Sequence, residues 1–323
     1  MKKGLLVTLI ICFILFLSGA ILLVIGLSTG GKIFFTIDYK NRKVNTSGSR
    51  ELVNGEQALG EFDSIDIDVS AAEVTVVEGS EYKVRYALYE GSEPTISIDD
   101  KKFSMKNEIF DGTLSYGLWG DNSDDEKRPF VEITVPAGTK FENVSISTNA
   151  GDIKLDGYEI ATLIVDSNAG SLELKNLSVG NVDVDVDCGH VDIADTKAAE
   201  VSINAAAGNA DISGLTADNV DIDMNCGGLN ISSSELGELE AKMNMGKADI
   251  SETKIDNIDI EADAGDVKLS LIGEEADYYF DLDSNAGNVT IDGSKESNNY
   301  TANSGKDKTI KVNTNAGNIS IDF

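Results

Sequence analysis

A 19-residue repeat is the feature of this sequence that most restricts its fold. Motifs such as NAGDIKL, from Asn149, and NAGSLEL, from Asn168, recur along the second half of the chain, each with a glycine at its third position. The first seven of these glycines recur at a constant 19-residue spacing, and the last two follow at spacings of 22 and 30. The nine glycines are Gly151, Gly170, Gly189, Gly208, Gly227, Gly246, Gly265, Gly287 and Gly317. A fixed period predicts a repeat protein in which each copy packs on its neighbours.

Apolar and polar residues alternate within each copy. With the glycine numbered as position 8, apolar or small residues fall at positions 1, 3, 5, 7, 10, 12, 15 and 17. Alternation with a period of two, interrupted at fixed corners, predicts three short strands per copy with every second side chain directed inward. Residues 144–257 contain 21 Asp or Glu and six Lys, and none of these charges falls at an inward position. The distribution of charge therefore supports this assignment of inside and outside.

Copies of one length are expected to stack in parallel about 4.8 Å apart, so that each copy pairs its backbone with the next. At the corner, Asn at position 6 is expected to tolerate a left-handed backbone and to ladder its amide with the next copy. Glycine at position 8 is expected to permit a positive φ, and the small residue at position 7 to point into the bend. The predicted fold class is all-β: a parallel β-helix-like solenoid with 19-residue coils, preceded by one N-terminal transmembrane helix.

The chain divides into four predicted segments. They are an N-terminal membrane anchor at 1–28, a linker at 29–60, a first coil with an irregular β cap at 61–143, and the β-solenoid repeats at 144–323. Residues 65–76 match the repeat, with Ala72 in place of the glycine. Cap strands are expected at 82–89, 95–98 and 131–135, because an open solenoid end exposes a sheet edge. At the other end, the edge is either covered by the insertion at 288–309 or available to a partner.

Residues 5–27 form an uncharged stretch long enough to cross the roughly 30 Å hydrocarbon layer of a membrane as a helix. A cleaved signal peptide is the alternative, since Lys2 and Lys3 precede the stretch and Ser18-Gly19-Ala20 supplies small residues. The apolar run continues past Ala20, which favours an uncleaved anchor. The chain after residue 28 carries 24 basic and 56 acidic residues. We therefore expect a single-pass protein of the cell membrane, with its C-terminal domain extracytoplasmic.

The formal net charge of −30 excludes a basic surface for nucleic acid. It instead suits cationic peptides or other envelope proteins as partners. One His and three Cys leave few of the side chains that proton-transfer or zinc chemistry requires. No cofactor is predicted, apart from the Ca²⁺ alternative considered below.

The repeated NAG motifs, the segment VEITVPAG at 131–138 and the single N-terminal anchor together resemble a known family. It is the bacterial β-strand-repeat family of unknown function whose members are labelled adhesins, and which includes LiaG-type cell-envelope proteins. The resemblance covers about residues 60–323. It implies a β-helix-like ectodomain on the envelope of a Gram-positive-type bacterium, and a link to envelope-stress systems. It implies no catalytic residues, because the family has none established.

Stacking predicts two rows of carboxylates on the outside of the solenoid, with neighbouring members about 4.8 Å apart. One row holds Glu173, Asp192 and Asp211, and the other holds Asp166 and Asp185, with Asp223 further along. Like charges at this spacing raise one another's pKa or recruit a cation, and hard oxygen ligands suit Ca²⁺. The alternative is a solvated face that discourages lateral aggregation.

Three further groups of residues are candidate sites. Cys188 and Cys226 both occupy position 7, two copies and about 9.6 Å apart, so they are expected to be free and buried rather than disulfide-bonded. His190 lies beside Asp192, but without a nucleophile nearby an exposed histidine is the preferred interpretation. The cap loop, with Tyr116, Trp119 and Arg128, adds an exposed surface.

The predicted function is a non-catalytic module for binding, adhesion or envelope stress, located outside the cell. The alternative is a carbohydrate-active β-helix enzyme acting on an envelope glycan, because such enzymes cluster acidic groups on one face. The stack from 144 to 257 contains no Arg, which a polysaccharide lyase would normally place among its carboxylates.

Overall fold

The computed structural model describes residues 35–38, 43–45, 52–89, 93–107, 113–116 and 128–323. The predicted anchor at 1–28 lies outside these ranges. Within them, no helix has the length and apolar character needed to cross a membrane. The described residues form two compact units, a small one that includes 35–38, 43–45 and 113–116, and a large one over 52–107 and 128–323.

The described structure is built from strands. In chain order they are β1 (Phe35–Asp38), β2 (Lys43–Asn45), β3 (Leu52–Ala58), β4 (Ser64–Val69), β5 (Glu73–Gly79), β6 (Lys83–Tyr89), β7 (Thr95–Asp99), β8 (Lys102–Asn107), β9 (Thr113–Tyr116), β10 (Phe130–Pro136), β11 (Lys140–Thr148), β12 (Ile153–Asp156), β13 (Glu159–Lys175), β14 (Ser178–Ala194), β15 (Lys197–Ser213), β16 (Thr216–Ser232), β17 (Glu235–Ala264), β18 (Val267–Leu271), β19 (Tyr278–Ser284), β20 (Val289–Ile291), β21 (Ser294–Lys295), β22 (Asn299–Ala302), β23 (Lys308–Ala316) and β24 (Ile319–Asp322). A turn of 3-10 helix lies at Glu275–Asp277. The small unit contains an antiparallel sheet in the order β2-β1-β9.

The large unit is a solenoid whose coils pair in parallel at the sequence period. Val165 pairs with Val184, which pairs with Ile203, so that partners are one repeat apart along the chain. The strands β3 to β8 and β10 to β24 belong to one open 21-stranded sheet. The predicted all-β solenoid with 19-residue coils is confirmed for the described part of the chain.

The core fills the inside of the coils, as the alternation predicts, except at one position. Val182, Val184 and Val186 are buried, at positions 1, 3 and 5 of their coil. The prediction that position 7 points inward is wrong, because Cys188 is exposed and Cys226 half-exposed. The side chain of Met245 is likewise 57% exposed. Positions 6 and 7 both face outward here, since the chain turns between them and the glycine at position 8, which breaks the alternation.

The corner glycines are required by the close approach of successive coils. Gly170 has a φ of +148°, and a Cβ atom placed on it would lie 2.1 Å from the carbonyl oxygen of Gly151 in the preceding coil. The predicted amide ladder at position 6 is confirmed, because Asn168 Nδ2 donates to Asn149 Oδ1 at 2.9 Å. Left-handed backbone was predicted at position 6 but lies at position 14, where Asn176 has a φ of 52°. The second corner, rather than the first, therefore uses the tolerance of Asn, Asp and Ser for this conformation.

At the N-terminal end of the solenoid, the first coil in sequence is the second in space. β4 and β5 pack on β11 and β12, while β8 and β10 form a further coil outside them. Antiparallel strands β7 and β6 cover that coil, and β3 pairs with β6. The predicted cap strands coincide with β6, β7 and β10. β3 lies within the segment predicted as a linker, 29–60. The sequence does not predict this strand because its mostly exposed side chains lack the alternation that marks the other strands.

At the C-terminal end, the last coil in sequence is inserted between two earlier ones. β23 pairs with β17 on one side and with β19 on the other, and β24 lies in the same way between β18 and β20. The outer edge is covered by antiparallel strands β21 and β22, which belong to the insertion at 288–309. Of the two alternatives left by the sequence, the covered edge is confirmed.

Candidate functional site: an acidic face

The predicted carboxylate row at position 11 is present, but it carries its own counter-charges. Glu173, Asp192 and Asp211 are successive partners in the parallel ladder. Lys175, at position 13 of the first of these coils, lies 2.7 Å from Glu173 Oε1 and 3.4 Å from Asp192 Oδ2 through its Nζ atom. The hydrogen bond to Glu173 is the main reason that the pKa of Lys175 is raised above 10.5. The lysine thereby offsets the charge of two successive members of the row.

The third member of this row is bound by its neighbours as well. Asp211 Oδ2 lies 3.3 Å from His190 Nε2, and Asp211 Oδ1 accepts a hydrogen bond from Asn230 Nδ2 at 2.6 Å. His190 therefore contacts the aspartate of the next coil, rather than acting with Asp192 of its own. Its partners along the stack are Ser171 and Asn209, as the period predicts.

The row at position 4 is different, because its described carboxylates make no ion pair. Asp166 pairs through its backbone with Asp185, and the ladder continues through Asn204 to Asp223. Within the described residues, the side chains of these three aspartates make no ion pair and no hydrogen bond. The same holds for three outward aspartates on the same arm of neighbouring coils. We call the whole set the acidic face: Asp166, Asp183, Asp185, Asp187, Asp221 and Asp223.

Asp185 is at the centre of this face. Its partial burial, followed by repulsion from Asp166, Asp187 and Asp183, raises its pKa above the ordinary value of 3.8. Beyond Asp223 the next member of the row is Lys242, whose Nζ is held 2.5 Å from Glu240 Oε1. That lysine is engaged mainly by its own coil, but Asp221 also contributes to raising its pKa. It therefore offsets charge at the Asp221 end of the face and leaves the part around Asp185 negative.

The raised pKa of Asp185 predicts a stability effect that depends on pH. The pKa of Asp185 is higher in the folded than in the unfolded state, so ionisation of Asp185 destabilises the fold. This cost is absent at pH values below the unfolded-state pKa and fully present above the folded-state pKa. Asp185→Asn should therefore raise the free energy of unfolding at neutral pH by about 0.5 kcal/mol or less, because the site is screened by solvent. Urea unfolding at several pH values measures this. The control Asp192→Asn removes a carboxylate that is paired with Lys175, so it should not raise the free energy of unfolding. A gain for Asp185→Asn that was the same at every pH would contradict the prediction.

The other candidate residues are placed as follows. Tyr116 ends β9 in the small unit, whereas Arg128 is an exposed residue of the large unit. Trp119 lies outside the described residues. No three His, Cys, Asp or Glu side chains of the described ranges are grouped so that they could hold a metal ion.

Three members of the acidic face were missed by the sequence reasoning. Asp183 and Asp187 flank Asp185 in the run VDVDVD, and Asp221 precedes Asp223 in VDID. Such a run places several carboxylates on the outer side of one short strand. In the sequence this run marks the outside of the solenoid, and it also marks the densest charge on that outside.

Comparison with known proteins places the chain in a family. None of the curated proteins matches the chain. Among solved structures, a putative adhesin from Bacteroides fragilis is 14% identical with a TM-score of 0.44, over 84% of this chain and 98% of its own. A putative lipid binding protein from Parabacteroides distasonis is 10% identical with a TM-score of 0.43, over 84% and 96%. Residues 62–322 match the model of the family described as Toastrack DUF4097. This match spans most of the chain and confirms the resemblance to a β-repeat family of unknown function, and the protein belongs to the Toastrack DUF4097 family.

Proposed function

We propose that this chain is a non-catalytic binding module of the bacterial cell envelope, in which the acidic face binds a cationic peptide or a cationic segment of another envelope protein. Residues 5–27 would anchor the module in the membrane, with the solenoid outside the cell. The observation that carries the proposal is a set of six aspartates on one face whose side chains make no ion pair or hydrogen bond in the described part of the chain.

The contrast between the two rows supports the choice of this face. Lys175, His190 and Asn230 already satisfy the carboxylates of the position 11 row. A cationic ligand would have to displace these partners there, whereas it meets unpaired carboxylates on the acidic face. Since Asp185 is disfavoured in its ionised form, a bound cation would relieve repulsion as well as add attraction. Association by such a surface is fast and falls with ionic strength.

Charge neutralisation with a matched control tests the proposal. The triple variant Asp183→Asn, Asp185→Asn, Asp187→Asn removes three charges from the acidic face. The control Glu173→Gln, Asp192→Asn, Asp211→Asn removes three charges from the paired row. With a Lys-rich decapeptide as probe, the first variant should bind about tenfold more weakly than the native chain, since each exposed contact contributes on the order of 0.5 kcal/mol. The control should change the affinity less than threefold.

Two results would overturn the proposal. Equal losses in the two triple variants would show that the peptide responds to net charge and not to the acidic face. Turnover of a wall glycan by the native chain that disappears in Asp192→Asn, Asp211→Asn would assign the protein to the carbohydrate-active enzymes instead. Isothermal titration at two salt concentrations, together with a glycan-release assay, gives both measurements.

A further inference from the structure

A cleft lined mainly by polar residues lies at the N-terminal end of the large unit, on an outward row that continues through Ile164 to Asp183 of the acidic face. Its volume is about 540 Å³, and it is open to solvent on the outward side of β7, β8, β4 and β11. These four strands are neighbours in that order. Three strand spacings of about 4.8 Å make the cleft about 14 Å across. This volume falls in the range of about 300–1,000 Å³ that small-molecule sites occupy.

A row of short side chains accounts for the depression. Asp66 is the ladder partner of Ser104 on one side and of Ser145 on the other. The next member of the same row is Ile164, which is larger and 45% exposed. The floor of the cleft is therefore formed where three successive coils carry Ser or Asp at this outward position.

The cleft presents polar groups that the protein itself does not use. Asp66 is paired with Lys102, with Oδ2 and Nζ 2.8 Å apart. Asp99 and Asp100 line the opening and make no ion pair or hydrogen bond with their side chains in the described part of the chain. Four neutral side chains of the lining are equally without protein partners there: Ser97, Ser104, Asn143 and Ser145. The site thus combines free hydroxyl and amide groups with two unpaired carboxylates.

We propose that this cleft binds a short oligosaccharide that carries free amino groups. Hydroxyl and amide side chains both donate and accept, as the hydroxyls of a sugar do. The unpaired carboxylates of Asp99 and Asp100 would accept charge-assisted hydrogen bonds from ammonium groups and repel anionic glycans. The lining combines hydroxyl, amide and carboxylate groups with apolar side-chain surface, as a sugar combines hydroxyl groups with apolar ring faces, and the width accommodates two or three sugar rings. Such a ligand is cationic, so the acidic face would attract it as well. The variants below therefore change the cleft and the acidic face separately, so that binding at each can fail without the other.

Filling the cleft provides the first test. Ser145→Ile introduces a side chain that the next coil already carries in the same row, as Ile164, so the fold should tolerate it. The matched control is Ser202→Ile, which lies outside the cleft, in the same row between Asp183 and Asp221 of the acidic face. It would lower the affinity only if the trimer bound to the acidic face. In isothermal titration with a trimer of glucosamine, Ser145→Ile should lower the affinity at least tenfold. Ser202→Ile should leave it unchanged, and the thermal midpoints of both variants should match that of the native chain.

Removing the carboxylates tests the class of ligand. The native chain should bind the glucosamine trimer at least tenfold more tightly than the N-acetylated trimer. Asp99→Asn, Asp100→Asn should abolish this preference, and Asn suits the left-handed φ of 44° at residue 100. The proposal is overturned if Ser145→Ile binds like the native chain, if the acetylated trimer binds as well as the free amine, or if neither trimer binds at millimolar concentration.

Discussion

Replacement of Gly208 by alanine is expected to lower the free energy of unfolding by about 4 kcal/mol. Gly208 has a φ of +150°, and a Cβ atom there would lie 1.7 Å from the carbonyl oxygen of Gly189. A non-glycine residue in this backbone conformation costs on the order of 1–3 kcal/mol. The clash is with backbone of the neighbouring coil, so the parallel ladder must open locally, at a further cost of about 1–3 kcal/mol for each hydrogen bond lost.

Urea unfolding of the Gly208→Ala variant measures this effect, with Gly138→Ala as the matched control. Gly138 also has a positive φ, of +77°, but no atom lies within 4 Å of its would-be Cβ. The control should therefore cost about 1 kcal/mol, from the backbone conformation alone. Because coils contact only their neighbours, a break at Gly208 should also divide the unfolding into two transitions. Equal losses in the two variants would contradict the role of coil-to-coil contact.

A chain that ends at residue 307 is expected to lose the C-terminal part of the solenoid. The removed coil carries Ile310, Val312, Ile319 and Ile321, all buried. Each buried aliphatic side chain contributes about 1.5–3 kcal/mol, so the loss is on the order of 6 kcal/mol or more. Because this coil lies between β17 and β19, its removal should also detach β19 to β22 from the stack.

Limited proteolysis and thermal unfolding test this expectation. Cleavage of the truncated chain should concentrate in residues 272–307, while coils before β18 remain protected. The control Lys311→Ser changes an exposed residue of the same coil, whose ion pair with Asp259 spans 3.7 Å, and should alter stability by less than about 1 kcal/mol. Protection of residues 278–302 in the truncated chain would show that the last coil is not required between its neighbours.

The period of the sequence determines most of the regular fold, and its failures have physical causes. Position 7 was placed inside because the alternation was continued through the corner. The unusual φ of glycines such as Gly170 lets the chain turn without keeping the alternation. The spatial order of the last coils is not readable from the motifs, because the copies around Gly287 and Gly317 are nearly identical. The 30-residue spacing between them is long enough for the chain to pass back and place its last coil between two earlier ones.

The period predicts the two rows of carboxylates, but it does not predict which row is paired with counter-charges. Sequence spacing places Glu173 next to Asp192 and Asp166 next to Asp185 with equal certainty. Which row is compensated depends on the reach of Lys175, whose Nζ contacts its own coil and the next one. That contact is set by side-chain conformation across the stack, which the spacing of residues along the chain does not encode.

The insertion of the last coil between two earlier ones limits how a solenoid of this kind can change in length. A coil added after Phe323 would follow a strand that already has partners on both sides, so it would find no free ladder. At the opposite end, β10 lies in the same way between β5 and β6. Gene duplication or design can therefore lengthen the protein by whole repeats only within the uniform middle section. An added repeat would lengthen the acidic face only if it carried Asp at these outward positions, which the coil with Ser202 and Asn204 does not, and it would leave both ends as they are.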